Sequence, residues 1–223
     1  MKKIYLPSSA LFFLLFSAFK TTNMCTAYAT YKYGTSWEVT TYNDEDELVS
    51  TTTYTVQEIR KEAERTSIMN EYVTTNKKGK QSDKGYMSII LSGNNYLLNL
   101  SSMIPGYKSD DPQFIQYSCT PKTGDDIPEF SKVTTFATDN MGQISIVSNK
   151  VGLEDGKYGE METITTALGT FNSIKISYKI RLDMHDYVFT EWIDEGGRTL
   201  KTQRMDNKGK LDTYSVLTKF SNE

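Results

Sequence analysis

Short runs of β-branched and aromatic residues, separated by polar turns roughly every eight to twelve residues, constrain the fold of this chain more than any other feature. Typical runs are SWEVTTY (36–42), LVSTTTYTV (48–56) and QISIVSNKV (143–151). Such side chains favour the pleated, half-buried surface of a β-sheet. The pattern predicts a mainly β chain built as a meander of antiparallel strands. A sandwich, a barrel and a curved open sheet all agree with it.

Two segments are less regular. VQEIRKEAERTS (56–67) is the best helix candidate, although a continued strand is an equally good interpretation. Residues 104–130 contain four of the five prolines and predict a long connection, with room for a short helix, across one end of the sheet. The remaining strands are expected at 66–75, 86–92, 96–102, 132–138, 163–180 (two runs that meet at Gly169), 187–194, 198–206 and 210–220.

The N-terminus carries the pattern of a secretory signal. Lys2 and Lys3 precede an apolar run at 11–19, which is too short for a comfortable membrane span. The small residues of AYA (27–29) predict cleavage after Ala29, which gives a signal peptide at 1–29 and a single β-rich domain at 30–223. The competing interpretation is a lipoprotein in which Cys25 is lipidated, although the preceding TNM lacks the usual small residue. Either route predicts an exported protein, periplasmic or associated with the outer membrane, without a transmembrane span in the mature chain.

The chain has two cysteines, Cys25 and Cys119. Because Cys25 is expected to be removed, lipidated or left on a loose terminus, we expect no internal disulfide. Cys119 is then an unpaired thiol. Since no cysteine-enzyme signature surrounds it, we interpret it as a packing residue and not as a nucleophile.

Charge argues against nucleic acid as a partner. Without Lys2, Lys3 and Lys20, the 25 basic residues fall to 22 against 28 acidic residues, a net charge of −6 for the mature chain. An acidic chain without a block of basic residues lacks the positively charged surface that binds the phosphate backbone of nucleic acids.

Motifs for common chemistries are missing from the sequence. It contains no HExxH, no CxxC pair, no phosphate-binding glycine loop and no GxSxG elbow. The single histidine, His185, lies between Asp183 and Asp186, and we interpret it as a surface residue of a turn. We therefore predict a protein with no enzymatic activity, metal or cofactor.

Apolar side chains occur on both faces of the predicted C-terminal strands. Ile174, Ile176, Tyr178 and Ile180 share one face of their strand, with Phe171 on the other. A sheet that is apolar on both faces needs a cover for the second face, such as a helix, a loop, another sheet or a ligand. The candidate residues for an apolar ligand face are Trp37, Phe171, Phe189 and Trp192.

The C-terminal half resembles a known group of exported bacterial proteins, the DUF3108 and TapB-like family. The resemblance rests on ETITTALGTFNSIKI (162–176), the Glu191-Trp192 pair, a glycine turn after it and the hairpin DNKGK (206–210), with TGDDIP (123–128) as a further match. It covers about residues 120–220, and at 198–199 this chain has Arg-Thr where the family pattern is more apolar.

This resemblance implies a fold and suggests a function. The fold would be a single strongly curved antiparallel sheet, the half-open barrel of LolA-like proteins, in which Gly169 forms a strand corner with a structural role. Relatives in that wider architecture carry lipids or lipoproteins in the concave face. The implied partner is a lipid acyl chain or a lipoprotein segment. The alternatives are an interaction module whose concavity is plugged by its own loop at 104–130, and, less favoured, a glycan hydrolase.

Overall fold

In the computed structural model, which describes residues 23–100, 113–140, 143–182 and 185–222, the chain forms one twelve-stranded antiparallel sheet. Among these described residues, one short helix, α1 (Thr26–Ala29), precedes the sheet. The strands are β1 (Ser36–Asn43), β2 (Leu48–Lys61), β3 (Arg65–Asn76), β4 (Gln81–Ser92), β5 (Asn95–Asn99), β6 (Phe114–Ser118), β7 (Phe130–Asn140), β8 (Gln143–Thr166), β9 (Gly169–Leu182), β10 (His185–Asp194), β11 (Thr199–Met205) and β12 (Leu211–Ser221).

The sheet consists of two meanders joined at its centre. The strand order is β6-β5-β4-β3-β2-β1-β12-β11-β10-β9-β8-β7, so β1 and β12 pair and the two ends of the domain meet in the middle. All other neighbours are consecutive along the chain, which is typical of an antiparallel meander. The order leaves β6 and β7 as edges, so the sheet is not closed. The predicted mainly β, half-open architecture is confirmed.

The open sheet curls until one edge touches its own inner face. The Tyr117 hydroxyl on β6 donates a hydrogen bond to the Glu191 carboxylate on β10, at 2.7 Å. The backbone N–H of Ser118 donates to the Tyr158 hydroxyl on β8, also at 2.7 Å. These bonds cross the interior between strands that are far apart in the sheet order, and they hold the curl.

Alternation along the strands builds the core. The side chains of Ile176 and Ile180 are fully buried, and Ile174 and Tyr178 are at most 5% exposed. These four residues form the inner face of β9, as their two-residue spacing predicted. Gly169 opens this strand with φ of 130°, a conformation that favours glycine, directly after the turn that ends β8. The predicted strand corner is confirmed.

The helix candidate at 56–67 is formed by strands. β2 continues to Lys61 and β3 starts at Arg65, with Ile59 paired to Ile68. The reason is burial, because Val56 and Ile68 are completely buried on the inner face of the sheet. The described part of the predicted long connection, 113–130, contains β6 and a coil with no helix. This coil runs along β8, where the Ile127 N–H donates to the Gly156 carbonyl at 2.9 Å.

The expectation for the cysteines is wrong. Cys25 and Cys119 form a disulfide, with their Cα atoms 5.2 Å apart, so Cys119 is not an unpaired thiol. The sequence interpretation failed because residues 23–29 belong to the core: Met24 is completely buried and Tyr28 is 8% exposed. Residues 23–29, which were expected to belong to the signal peptide, therefore pack against the sheet. No helix among the described residues is long and apolar enough to cross a membrane.

Candidate ligand-binding trough

The curled sheet encloses a concavity of about 970 Å³, which we call the trough. Its walls come from β1–β5 and β10–β12, with Tyr28 and Tyr31 at one end. This volume lies in the range of small-molecule binding sites. Ser82, Asp83 and Tyr86 line its wall on β4 and are exposed, so the trough is open to solvent there.

The N-terminal plug, residues 23–31, fills the end of the concavity beside Trp37. Three hydrogen bonds to backbone carbonyls hold it: Met24 N–H to Cys119 O at 2.7 Å, Ala27 N–H to Gly196 O at 2.8 Å, and Tyr28 Oη to Gly197 O at 2.7 Å. The Tyr31 ring lies 5.5 Å from the Trp37 ring, centroid to centroid. The chain itself closes this end of the trough.

An aromatic row crosses the wall next to the plug. Its members are direct neighbours in the strand registers, on β12, β1, β2 and β3: Phe220, Trp37, Tyr54 and Tyr72. The Trp37 and Tyr54 rings stack with an interplanar angle of 11° and centroids 5.1 Å apart. Because the stacked faces of Trp37 and Tyr54 are turned towards each other, these faces are not free to stack on a sugar ring. Aliphatic side chains continue this apolar lining, among them Val39, Ile89, Leu98, Leu200 and Leu217.

A polar row crosses the same wall. On β1, β2 and β3 it lies further from the plug than the aromatic row does, whereas its other end lies near the plug, where burial and the Glu191 carboxylate raise the pKa of the Tyr28 hydroxyl. Register places its members side by side on six consecutive strands from β10 to β3: Glu191, Thr202, Ser215, Thr41, Ser50 and Asn76. Thr41 and Ser215 hydroxyls bond at 2.9 Å, as do the Thr52 and Thr74 hydroxyls nearer the aromatic row. A hydroxyl offers one donor and two acceptor positions, so each pair retains capacity for a ligand. Along β1, β2 and β3 the lining thus changes from apolar at the plug to hydroxyl-rich away from it.

Two of the cationic side chains that line the trough are already neutralised within the protein. Arg198 Nη2 lies 2.6 Å from Asp194, whose side chain is 5% exposed. Arg204 Nη2 lies 2.6 Å from Asp212. These two guanidinium groups are therefore already engaged within the protein and are not free to hold a ligand by its charge.

Glu191 is a carboxyl group buried at one end of the polar row. Its side chain lies among Tyr117 and Tyr178, and the residue is 2% exposed. Burial raises the pKa of Glu191 from 4.5 to about 7, while hydrogen bonds from Tyr117 and Tyr178 act in the opposite direction. This carboxyl group therefore changes its charge near neutral pH inside the folded domain.

The structure separates the four residues expected on an apolar ligand face. Trp37 and Phe189 line the trough. Trp192 lies on the outer face, where its indole Nε1–H donates to Glu162 Oε2 at 2.8 Å and Lys175 Nζ lies 5.6 Å from the ring centroid. Phe171 is not part of the trough lining; its ring lies 5.7 Å from the Arg198 guanidinium carbon.

The other sequence candidates do not form a site together. The side chain of His185 lies outside the described part of the structure, and Asp186 pairs with Arg181 at 3.2 Å. Among the described residues, no group of three or more His, Cys, Asp or Glu side chains is placed to hold a metal ion. The thiol of Cys25, the lipidation candidate, is engaged in the disulfide.

Sequence reasoning missed Glu191 and the plug. A signal for Glu191 was present, because its position in the strand places it on the same face as the apolar residues Phe189 and Ile193, both of which are buried. For the plug, the signal was the pair of cysteines. This signal was set aside because cleavage was expected after Ala29, which would remove Cys25.

Comparison with solved structures supports the fold. A candidate exported protein with a YmcC-like fold from Bacteroides fragilis NCTC 9343 matches with a TM-score of 0.68 at 16% identity, covering 86% of this chain and 97% of the other. A candidate lipoprotein from Parabacteroides distasonis ATCC 8503 matches with the same TM-score at 21% identity, covering 91% and 100%. No curated protein matches the chain. The DUF3108-like family matches residues 32–217, which include β1–β11 and most of β12, and the chain therefore belongs to the DUF3108-like family.

Proposed function

We propose that this protein is an exported component of the bacterial cell envelope that binds a lipid acyl chain in the trough. The observation that supports the proposal is the graded lining of a concavity of about 970 Å³, apolar at the plug and hydroxyl-rich away from it along β1, β2 and β3. An acyl chain would lie along the aromatic row and the aliphatic side chains, where burial contributes about 0.8 kcal/mol per methylene group. The polar end of the lipid would lie at the polar row, where hydroxyl groups can donate hydrogen bonds to it.

The leader-like N-terminus and the disulfide support export, because disulfides persist in oxidising compartments and are rare in the cytosol. The two structural neighbours, one a candidate exported protein and one a candidate lipoprotein, agree with this location. Association with the envelope would place the trough where lipid chains are available.

A blocking substitution tests the proposal. Thr52 lies on the trough wall and is half-buried, whereas Thr53 points away from the trough on the same strand and is exposed. Thr52→Trp should fill part of the trough and weaken binding of radiolabelled oleate, measured by equilibrium dialysis, by at least about tenfold, which corresponds to about 1.4 kcal/mol. Thr53→Trp is the matched control and should bind as the wild type does.

Two results would count against acyl-chain binding. One is an absence of saturable oleate uptake by the wild type. The other is equal loss of uptake in both tryptophan variants, since this would place binding outside the trough. A wild type that binds no lipid would favour an interaction module instead, with the concavity closed at one end by the plug.

A further inference from the structure

The plug is a structural part of the domain, although the small residues of AYA (27–29) resemble a cleavage site. Met24 is completely buried and Tyr28 is 8% exposed, and both belong to the main hydrophobic cluster. The Tyr28 ring lies 5.2 Å from the ring of Tyr96, which is itself 1% exposed. Cleavage after Ala29 would remove this contact from the core.

The same cleavage would leave backbone groups without their partners. The carbonyls of Cys119, Gly196 and Gly197 accept hydrogen bonds from Met24, Ala27 and Tyr28. Buried polar groups that lose their partners are costly to a fold. Since the chain has two cysteines, Cys119 would also lose its disulfide partner.

Lipidation of Cys25 conflicts with the structure for a chemical reason. A lipoprotein cysteine carries its lipid through a thioether bond at Sγ, and this sulfur is bonded to Cys119 Sγ here. One sulfur atom cannot make both bonds. The disulfide and the lipid anchor are therefore mutually exclusive at Cys25.

We propose that the leader is removed by hydrolysis of a peptide bond N-terminal to Met24, so that the mature protein retains the plug and closes it with the Cys25–Cys119 disulfide after export. In the oxidation step, the two thiols lose two protons and two electrons to a disulfide-bearing exchange partner, which is reduced to a dithiol. The proposal does not depend on the trough binding a lipid. It places the processing site before Met24 and assigns a redox modification to Cys25 and Cys119.

Ala29 provides a specific test because its side chain is exposed, so a larger side chain at this position should leave the packing of the plug unchanged. A large charged residue directly before the cut blocks a leader peptidase that requires small residues there. The full-length gene is expressed in the exporting host, as wild type and as Ala29→Arg. Envelope fractions are then analysed by intact-mass spectrometry without reductant.

The proposal predicts a wild-type mass that includes Met24 and Cys25 and is lighter by two hydrogen atoms than the reduced chain. Ala29→Arg should be processed equally well, with a mass that differs only by the substitution. A Cys119→Ser variant should have the same N-terminus without the loss of two hydrogens, which separates processing from oxidation. A wild-type chain that starts at Thr30, precursor accumulation in Ala29→Arg, or a lipid on Cys25 would each overturn the proposal.

Discussion

The buried carboxyl group of Glu191 makes the domain less stable as the pH rises, whereas the carboxylate of a surface ion pair makes a domain less stable as the pH falls. Because its folded pKa of about 7 lies above its ordinary value of 4.5, the folded state holds the proton more tightly than the unfolded chain. The free energy of unfolding that this group contributes is fully present below about pH 4.5 and is lost as the pH rises through about 7.

The magnitude follows from the shift. The difference between about 7 and 4.5, at about 1.4 kcal/mol for each pH unit, corresponds to roughly 3–4 kcal/mol, of which about 2–3 kcal/mol is lost between pH 5 and pH 8. Glu191→Gln removes the titration and retains an oxygen that can accept the Tyr117 hydrogen bond. The variant should be nearly as stable as the wild type at pH 5 and more stable than the wild type at pH 8.

Urea unfolding followed by circular dichroism at pH 5, 6, 7 and 8 measures this effect. Other titrating groups contribute equally to both proteins, so the informative quantity is the difference in unfolding free energy at each pH. Glu160→Gln, at an exposed position of β8, is the control and should run parallel to the wild type. If the wild-type and Glu191→Gln curves are also parallel from pH 5 to pH 8, the inferred shift of the Glu191 pKa is wrong.

Two further predictions concern the plug. Replacing Cys25 and Cys119 together by serine opens a loop with a sequence separation of 94. We expect the free energy of unfolding to fall by about 3 kcal/mol and the Tm to fall by roughly 6–12 °C, measured by thermal unfolding with circular dichroism. Reductant should lower the wild-type Tm similarly and leave the double variant unchanged, and equal Tm values for both proteins without reductant would contradict this role. Gly197→Ala should lower the free energy of unfolding, measured with urea, by more than Gly209→Ala does. Both glycines have positive φ, but a Cβ at Gly197 would overlap the Met24 carbonyl, whereas the space around Gly209 is open. Equal losses in these two variants would show that the plug does not pack against Gly197.

The strands were predictable because their signal is local. Alternation in 174–180 placed the isoleucines together on one face of their strand, whereas the strand corner at Gly169 was implied by the family resemblance. The segment 56–67 was ambiguous because Glu, Lys and Arg favour helices. Its assignment as strand was decided by the pairing of Ile59 with Ile68 and by burial, which a single window does not show.

The trough was less predictable because it depends on long-range pairing. Trp37 and Trp192 look equivalent in the sequence, but strand register turns the first into the trough and the second outward. The central pairing of β1 with β12 brings Thr41 next to Ser215, and no local pattern indicates this contact. The plug was missed because a leader-like sequence directly precedes it.

The most direct test of acyl-chain binding uses the two tryptophans as position-specific reporters. Trp192→Phe leaves Trp37 in the trough as the single tryptophan, and Trp37→Phe leaves Trp192 on the outer face. Each variant is titrated with a fatty acid brominated along its chain, because bromine quenches tryptophan emission on contact. If the trough binds the chain, Trp37 emission is quenched saturably and Trp192 emission is not. Equal quenching of both tryptophans, or no quenching of Trp37, would contradict the proposal.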